Sequence, residues 1–140
     1  MENTLCIIKP DGVRRNLIGK ILAHIEESGL RVAGLKLIHL SKKQAQAFYA
    51  VHAQRPFYDE LCESMISSPV AVVVLQGHSA VSKYRMLMGA TNPAQADAGT
   101  LRALFALSIG ENTVHGSDSL ENAKNEVAFF FSQSELVNML

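Results

Sequence analysis

The residue whose type and setting best suit chemistry is His115, followed directly by Gly116-Ser117-Asp118-Ser119. An imidazole is a competent nucleophile near neutral pH. The glycine permits close backbone approach, and a helix beginning just beyond it favours anions. The plain alternative is a satisfied structural histidine, and spacing by itself favours that. His24, His39, His52 and His78 occupy amphipathic or turn positions and make a weaker case.

Lys9 stands at the end of an apolar run, before Pro10-Asp11-Gly12, where an ammonium can reach a phosphate or simply meet solvent. Arg85 and Arg102 flank the irregular, polar stretch Gly89-Ala90-Thr91-Asn92-Pro93. Guanidinium groups bind phosphate in a planar fork and stabilise developing negative charge. Asn112 lies close to His115, as a hydrogen-bond donor to a sugar or phosphate or as a turn cap. Tyr49 and Phe57 read as core, or, for an exposed Phe57, as a stacking surface for a flat ligand. Glu126 falls on the last helix, where it is either solvated or an acceptor for the second ring nitrogen of His115. No Walker A pattern, no GxGxxG and no protein-kinase HRD or DFG is present. HxxxH and CxxC spacings are absent too, so a divalent ion is expected to arrive on phosphates rather than on protein ligands.

These residues need a frame. Thr4 to Lys9 reads as a strand ended by the turn Pro10-Asp11-Gly12. Ile18, Ile21, Leu22 and Ile25 have helical spacing, and Gly29 suits a left-handed cap. Leu30 to Leu40 reads as the second strand. Ser41, with Gln44 three residues on, caps a helix over Lys42 to Tyr49. Pro56 opens a further helix whose apolar side takes Phe57, Leu61 and Met65. Val70 to Leu75 lacks polar alternation and is expected to be central and covered on both faces. A helix over Ser79 to Leu87, a turn-rich stretch to Thr100, a helical turn or two over Leu101 to Leu107, and a short strand at Thr113-Val114-His115 follow. Asp118 and Glu121 resemble a capping pair for the last helix, which carries Leu120, Ala123, Val127 and Phe130. Ser132 to Leu136 adds a turn. The alternation implies an α/β sandwich with crossover helices, one domain over residues 1–140.

Composition bounds the partners. Lys plus Arg and Asp plus Glu total 13 each, a formal net charge of zero, which argues against nucleic acid as the main partner. No basic-then-apolar leader and no run of roughly 18 apolar residues is visible, so the cytoplasm is the expected location and no membrane is implied. Cys6 and Cys62 make no metal pair, and Cys6 reads as a packed thiol.

Taken in order, Ile7-Ile8-Lys9-Pro10-Asp11-Gly12-Val13, Phe48-Tyr49-Ala50, Arg55-Pro56-Phe57-Tyr58, Gly89-Ala90-Thr91-Asn92-Pro93, Gly99-Thr100-Leu101-Arg102 and Asn112-Thr113-Val114-His115-Gly116-Ser117-Asp118-Ser119 resemble the nucleoside diphosphate kinases over nearly the whole chain. Each piece is modest; their order and spacing are specific. The resemblance implies a ferredoxin-like α/β sandwich with a four-stranded antiparallel sheet. It implies ping-pong exchange, in which ATP phosphorylates the histidine on Nδ1 and a nucleoside diphosphate, ribo or deoxy, takes the group. His115 then matches the nucleophile. Lys9, Arg85, Thr91 and Arg102 match phosphate-binding positions, and Tyr49 borders the histidine. Asn112 and Lys9 match positions that bind sugar hydroxyls. Phe57 would stack on the base, and Glu126, with Ser117 beside it, would fix the tautomer of His115. Mg2+ would travel bound to the nucleotide.

Two positions depart from the family pattern. Val51 and Leu104 stand where an acidic residue is usual, and the first bears on metal-nucleotide geometry, the second on loop anchoring or assembly. They lend some weight to a binding-only, non-catalytic member of the fold; the complete Lys9, Arg85, Arg102, His115 and Glu126 set opposes it. A ferredoxin-like RNA-binding domain would carry aromatic and basic residues on its strands, and these strands are aliphatic. The resemblance also implies a homo-oligomer; the short C-terminal stretch resembles the bacterial branch and favours a tetramer over a hexamer.

Overall fold

The computed structural model describes residues 1–139. Four strands form one antiparallel sheet in the order β2-β3-β1-β4: β1 (Glu2–Ile8), β2 (Arg31–Ile38), β3 (Val70–Gly77) and β4 (Val114–Gly116). The helices are α1 (Pro10–Arg14), α2 (Ile18–Glu27), α3 (Lys42–Phe48), α4 (Tyr58–Ile66), α5 (Ala80–Met88), α6 (Leu101–Phe105) and α7 (Leu120–Phe130). This is the ferredoxin-like α/β sandwich, with helices on both faces of the sheet.

The two faces follow from the period-2 alternation of the central strands. Cys6, Ile8, Ala71, Val73 and Leu75 face one way, onto Ile21 and Ile25 of α2 and Tyr84 and Met88 of α5. Leu5, Ile7, Val70, Val72 and Val74 face the other way, onto α3, α4 and α7 through Ala45, Met65 and Val127. Every residue of β3 is therefore buried, as its unbroken apolar run implies. The Cys6 thiol receives the Tyr84 hydroxyl at 3.1 Å and is pushed up to about 12, first by burial. It is a packed thiol and a poor nucleophile.

Caps explain several boundaries. Ser41 and Gln44 make the expected capping box at α3, with bonds of 3.1 and 2.9 Å. Gly29 has φ 95° after α2, the left-handed closure that a Cβ would oppose. Four expectations need correction. Pro10-Asp11-Gly12 is not a bare turn but the first turn of α1, because proline at the first helical position is pre-set for a helix and has no N–H to lose. The cap of α7 is Ser119, which accepts from the Asn122 N–H at 3.0 Å, and not the Asp118 and Glu121 pair. Helix α4 begins at Tyr58, two residues after Pro56. Phe57 therefore precedes it and is 47% exposed instead of joining its apolar side.

Ile21 is fully buried between α2 and the sheet. Truncation to Ala removes three methyl-sized groups from a filled site. Ile21→Ala is expected to cost about 2–5 kcal/mol, read as a lower urea midpoint at unchanged slope.

Candidate active site

The site is built at one end of the β1–β4 ladder. That ladder pairs Cys6 with Gly116, Ile7 with His115 and Ile8 with Val114. Lys9 follows directly on β1, and its N–H donates to the Thr113 carbonyl at 2.8 Å. The register thus sets Lys9 and His115, 106 positions apart in the chain, at the mouth of the same cavity.

Just before β4 the chain makes a strained turn. Thr113 has φ 72°, and the Val114 N–H donates to the Asn112 carbonyl at 2.8 Å. That is a γ-turn with positive φ, a rare form. For a β-branched residue it costs about 1–3 kcal/mol and persists only when its surroundings impose it. Here they do. Thr113 is 1% exposed, its carbonyl is held by Lys9, and its hydroxyl donates to Asp11 Oδ2 at 2.7 Å.

His115 is half-buried, with Nε2 2.8 Å from Glu126 Oε1. A carboxylate only accepts, so Nε2 carries the proton and Nδ1 keeps its lone pair. The same Glu126 oxygen accepts the Ser117 hydroxyl at 3.0 Å, and Ser117 Oγ accepts the Leu5 N–H at 3.2 Å. Ser117 is fully buried, so it ties the carboxylate to the sheet from behind. Phe48 meets the imidazole edge-on at 5.7 Å between ring centres. The ring is fixed in position and tautomer with one nitrogen available.

A cavity of about 710 Å³ opens beside it, lined among others by Lys9, Tyr49, Phe57, Arg85, Thr91, Arg102, His115 and Glu126. Eight of the ten candidate residues line it. The other two lie behind: Ser117 as described, and Asn112, which is buried and accepts the Lys9 ammonium at 2.9 Å. Three cationic side chains face Asp118 and Glu126 in this wall, so the cavity favours an anion. Burial foremost, then the nearby Arg102 charge, lowers the Lys9 ammonium to about 8 against a smaller upward pull from Asp11. Arg102 donates to the carbonyls of Gly89 at 3.1 Å and Val114 at 2.9 Å, while its Nε stays buried without a partner. It therefore braces the polar loop against β4. Burial lowers its pKa as well. The Tyr49 hydroxyl is buried and unpartnered, and burial followed by the Glu126 charge raises its pKa.

His52, a weak candidate by sequence, lines the cavity between Tyr49 and Phe57, with ring centres 6.4 and 5.5 Å away. The signal was its place three residues after Tyr49, which puts both rings on one side of a short helical turn. Asn122, Asn125 and Phe129 also line the wall from α7. Val51 lines it and is 86% exposed, whereas Leu104 lies outside the lining.

Residues 2–136 match the family model described as Nucleoside diphosphate kinase. The chain belongs to the nucleoside diphosphate kinase family. It is 62% identical over 137 residues to the nucleoside diphosphate kinase of Roseobacter denitrificans, covering 98% of each chain. It is 63% identical over 137 residues, again 98% of each, to that of Cereibacter sphaeroides. Among solved structures it superposes on the Aquifex aeolicus nucleoside diphosphate kinase with TM-score 0.95 at 39% identity, over 97% of this chain and 99% of that one. A Halobacterium salinarum nucleoside diphosphate kinase in complex with CDP gives TM-score 0.94 at 38% identity, over 99% and 93%.

Gly116, directly after the histidine, admits the helix beneath. A Cβ there would lie 2.5 Å from Met88 Cε and 2.8 Å from the Tyr84 ring. The methionine end can swing, but the fully buried tyrosine cannot. Gly116→Ala is expected to lose about 1–3 kcal/mol by overpacking. Chemical denaturation at wild-type stability would show that α5 yields freely.

Proposed function

We propose that the chain transfers the terminal phosphoryl group of ATP to ribo- and deoxyribonucleoside diphosphates through a phosphohistidine at His115. The observation that carries this reading is the 2.8 Å bond from His115 Nε2 to Glu126, which leaves Nδ1 open beside three cationic side chains. The Nδ1 lone pair attacks the γ-phosphorus in line, the bond to the β-phosphate oxygen breaks, and ADP leaves with that electron pair. The imidazolium-like charge of the adduct is held by Glu126. A nucleoside diphosphate then enters and its terminal oxygen takes the phosphoryl back, freeing His115. No proton need move through a general base; positioning and charge do the work.

Lys9, Arg85, Thr91 and Arg102 bind the phosphates. The unpartnered Tyr49 hydroxyl donates to the travelling group, and a buried donor without a partner gains most from an acceptor that arrives. Asn112 and Lys9 take the sugar hydroxyls. Exposed Phe57 stacks on the base, and any base offers a π face. Magnesium enters as part of the nucleotide substrate. This donor set suits that, since among the described residues no group of three or more His, Cys, Asp or Glu could hold a metal ion.

We place the protein, as one domain over residues 1–140, in the cytoplasm as a homo-oligomer, a tetramer in preference to a hexamer. Leu35 and Leu37, exposed on edge strand β2, support burial against another copy. Among the described residues no helix is long and apolar enough to cross a membrane, and the zero net charge gives no case for nucleic acid as main partner.

Intact-mass spectrometry after brief incubation with ATP and magnesium is expected to show one acid-labile phosphoryl, absent in His115→Ala and removed by an ADP chase. A folded wild-type protein that takes up no phosphoryl at ample ATP would sink the carrier role of His115. The Lys9 ammonium adds a pH signature. It is charged below its free-state value of about 8 and neutral above, and a bound phosphate favours the charged form. MgADP affinity is therefore expected to hold up to that pH and then weaken by about tenfold per unit. In Lys9→Arg, measured by calorimetry from neutral to alkaline pH, the bend should vanish because guanidinium stays charged.

A further inference from the structure

Asp11 is a buried carboxylate outside the cavity wall, and so is the residue it holds. Its Oδ2 accepts the Thr113 hydroxyl at 2.7 Å and lies 3.9 Å from Arg15 Nη1. Arg15 in turn donates to the Phe105 carbonyl at 2.7 Å, at the end of α6. Thr113 is the strained centre of the γ-turn, between Asn112, which holds the Lys9 ammonium, and the strand that carries His115. A hydroxyl-to-carboxylate bond across 102 positions therefore closes the one backbone segment on which both sides of the site depend.

We propose that Asp11 and Thr113 are positioning residues for phosphoryl transfer, a latch that keeps the γ-turn closed and so sets His115 against Lys9. The proposal rests on the reading of His115 as phosphoryl carrier. Neither side chain lines the cavity, so each acts through its neighbours. The latch has an electrostatic side as well. Lys9 meets Arg102 from α6 and Asp11 from α1, and Arg85, His115, Glu126 and Tyr49 share its cavity. Arg15 lies 3.9 Å from the Asp11 carboxylate. Asp11 is the anion that opposes burial and Arg102 at the ammonium, so removing its charge makes Lys9 easier to deprotonate.

Three variants separate the parts. Thr113→Val keeps the shape and branching and removes the hydroxyl; Thr113→Ser keeps the hydroxyl; Asp11→Asn keeps an acceptor and removes the charge. Steady-state transfer from ATP to a nucleoside diphosphate reads positioning. Carbon-13 NMR of lysine-labelled protein, with the Lys9 signal assigned by Lys9→Arg, reads the charge without any turnover. Thr113→Val is expected to lower kcat about tenfold or more with nucleotide KM little changed, since small misplacement of reacting groups is costly. Thr113→Ser should recover most of that loss. Asp11→Asn should move the Lys9 titration to lower pH, while Thr113→Val, which retains the carboxylate, should leave it in place. Wild-type turnover in Thr113→Val, a Thr113→Ser protein as slow as Thr113→Val, or a Lys9 midpoint unmoved in Asp11→Asn would each overturn the proposal. Should wild-type protein take no phosphoryl on His115, the carrier reading fails on its own, and the Lys9 titration still decides whether Asp11 acts on the ammonium.

Discussion

The arrangement of the site depends on how two unequal strands meet. β1 runs through the middle of the sheet and is fixed on both faces by apolar packing. β4 has three residues and pairs only with β1. So short a strand has little pairing of its own to set its register. It is held by its flanks: Lys9 N–H and the Asp11 carboxylate on the Thr113 side, Ser117 against Leu5 on the other. The chemistry-bearing groups sit on these same flanks. Positioning His115 and terminating the sheet are thus one structural event, and the strain at Thr113 is part of what it requires.

The cavity wall holds several polar groups against the cost of burial. An ammonium depressed to about 8, a buried tyrosine hydroxyl and an Arg102 Nε without partners all sit in its wall. Each is a group that water or an acceptor would stabilise. The double-faced core holds them there, with Lys9 on the Asn112 side chain and Arg102 on the carbonyls of Gly89 and Val114. Glu126 is satisfied by His115 and Ser117 together, and the first of these bonds fixes how the ring is turned.

Much of this was legible in the residues. The buried run Val70 to Leu75, the Ser41 cap and the helical stripe through Ile21 and Ile25 are local signals, and the fold obeys them. The partnership of His115 with Glu126 was open on position alone, since a helix glutamate is as readily solvated, and only the family resemblance pointed to it. The bond of Asp11 to Thr113 was not legible, because the Pro10-Asp11-Gly12 sequence looks like a turn and says nothing of a partner 102 positions away. The positive φ of Thr113 was equally hidden, since threonine disfavours it. Long-range bonds imposed that conformation, and local propensity carries no trace of them. Asp118 and Ser119 are both good caps and adjacent, so residue type alone does not choose between them; Ser119 caps α7 while Asp118 takes the Asn122 side chain.

The two departures from the family pattern are physically unlike. Val51 lies in the cavity wall at the mouth, almost wholly exposed. An acidic side chain there would offset the cations; valine offers neither charge nor hydrogen bond, so the positive charge of Lys9, Arg85 and Arg102 in the same wall meets less opposition. Leu104 is off the cavity, on α6 and half exposed, with Leu107 and Ile109 exposed soon after it. Its neighbour Arg102 is tied to Gly89 and Val114 without help from position 104. The polar loop therefore has its brace whether or not a carboxylate stands there, and what Leu104 alters is the surface the protein shows to others.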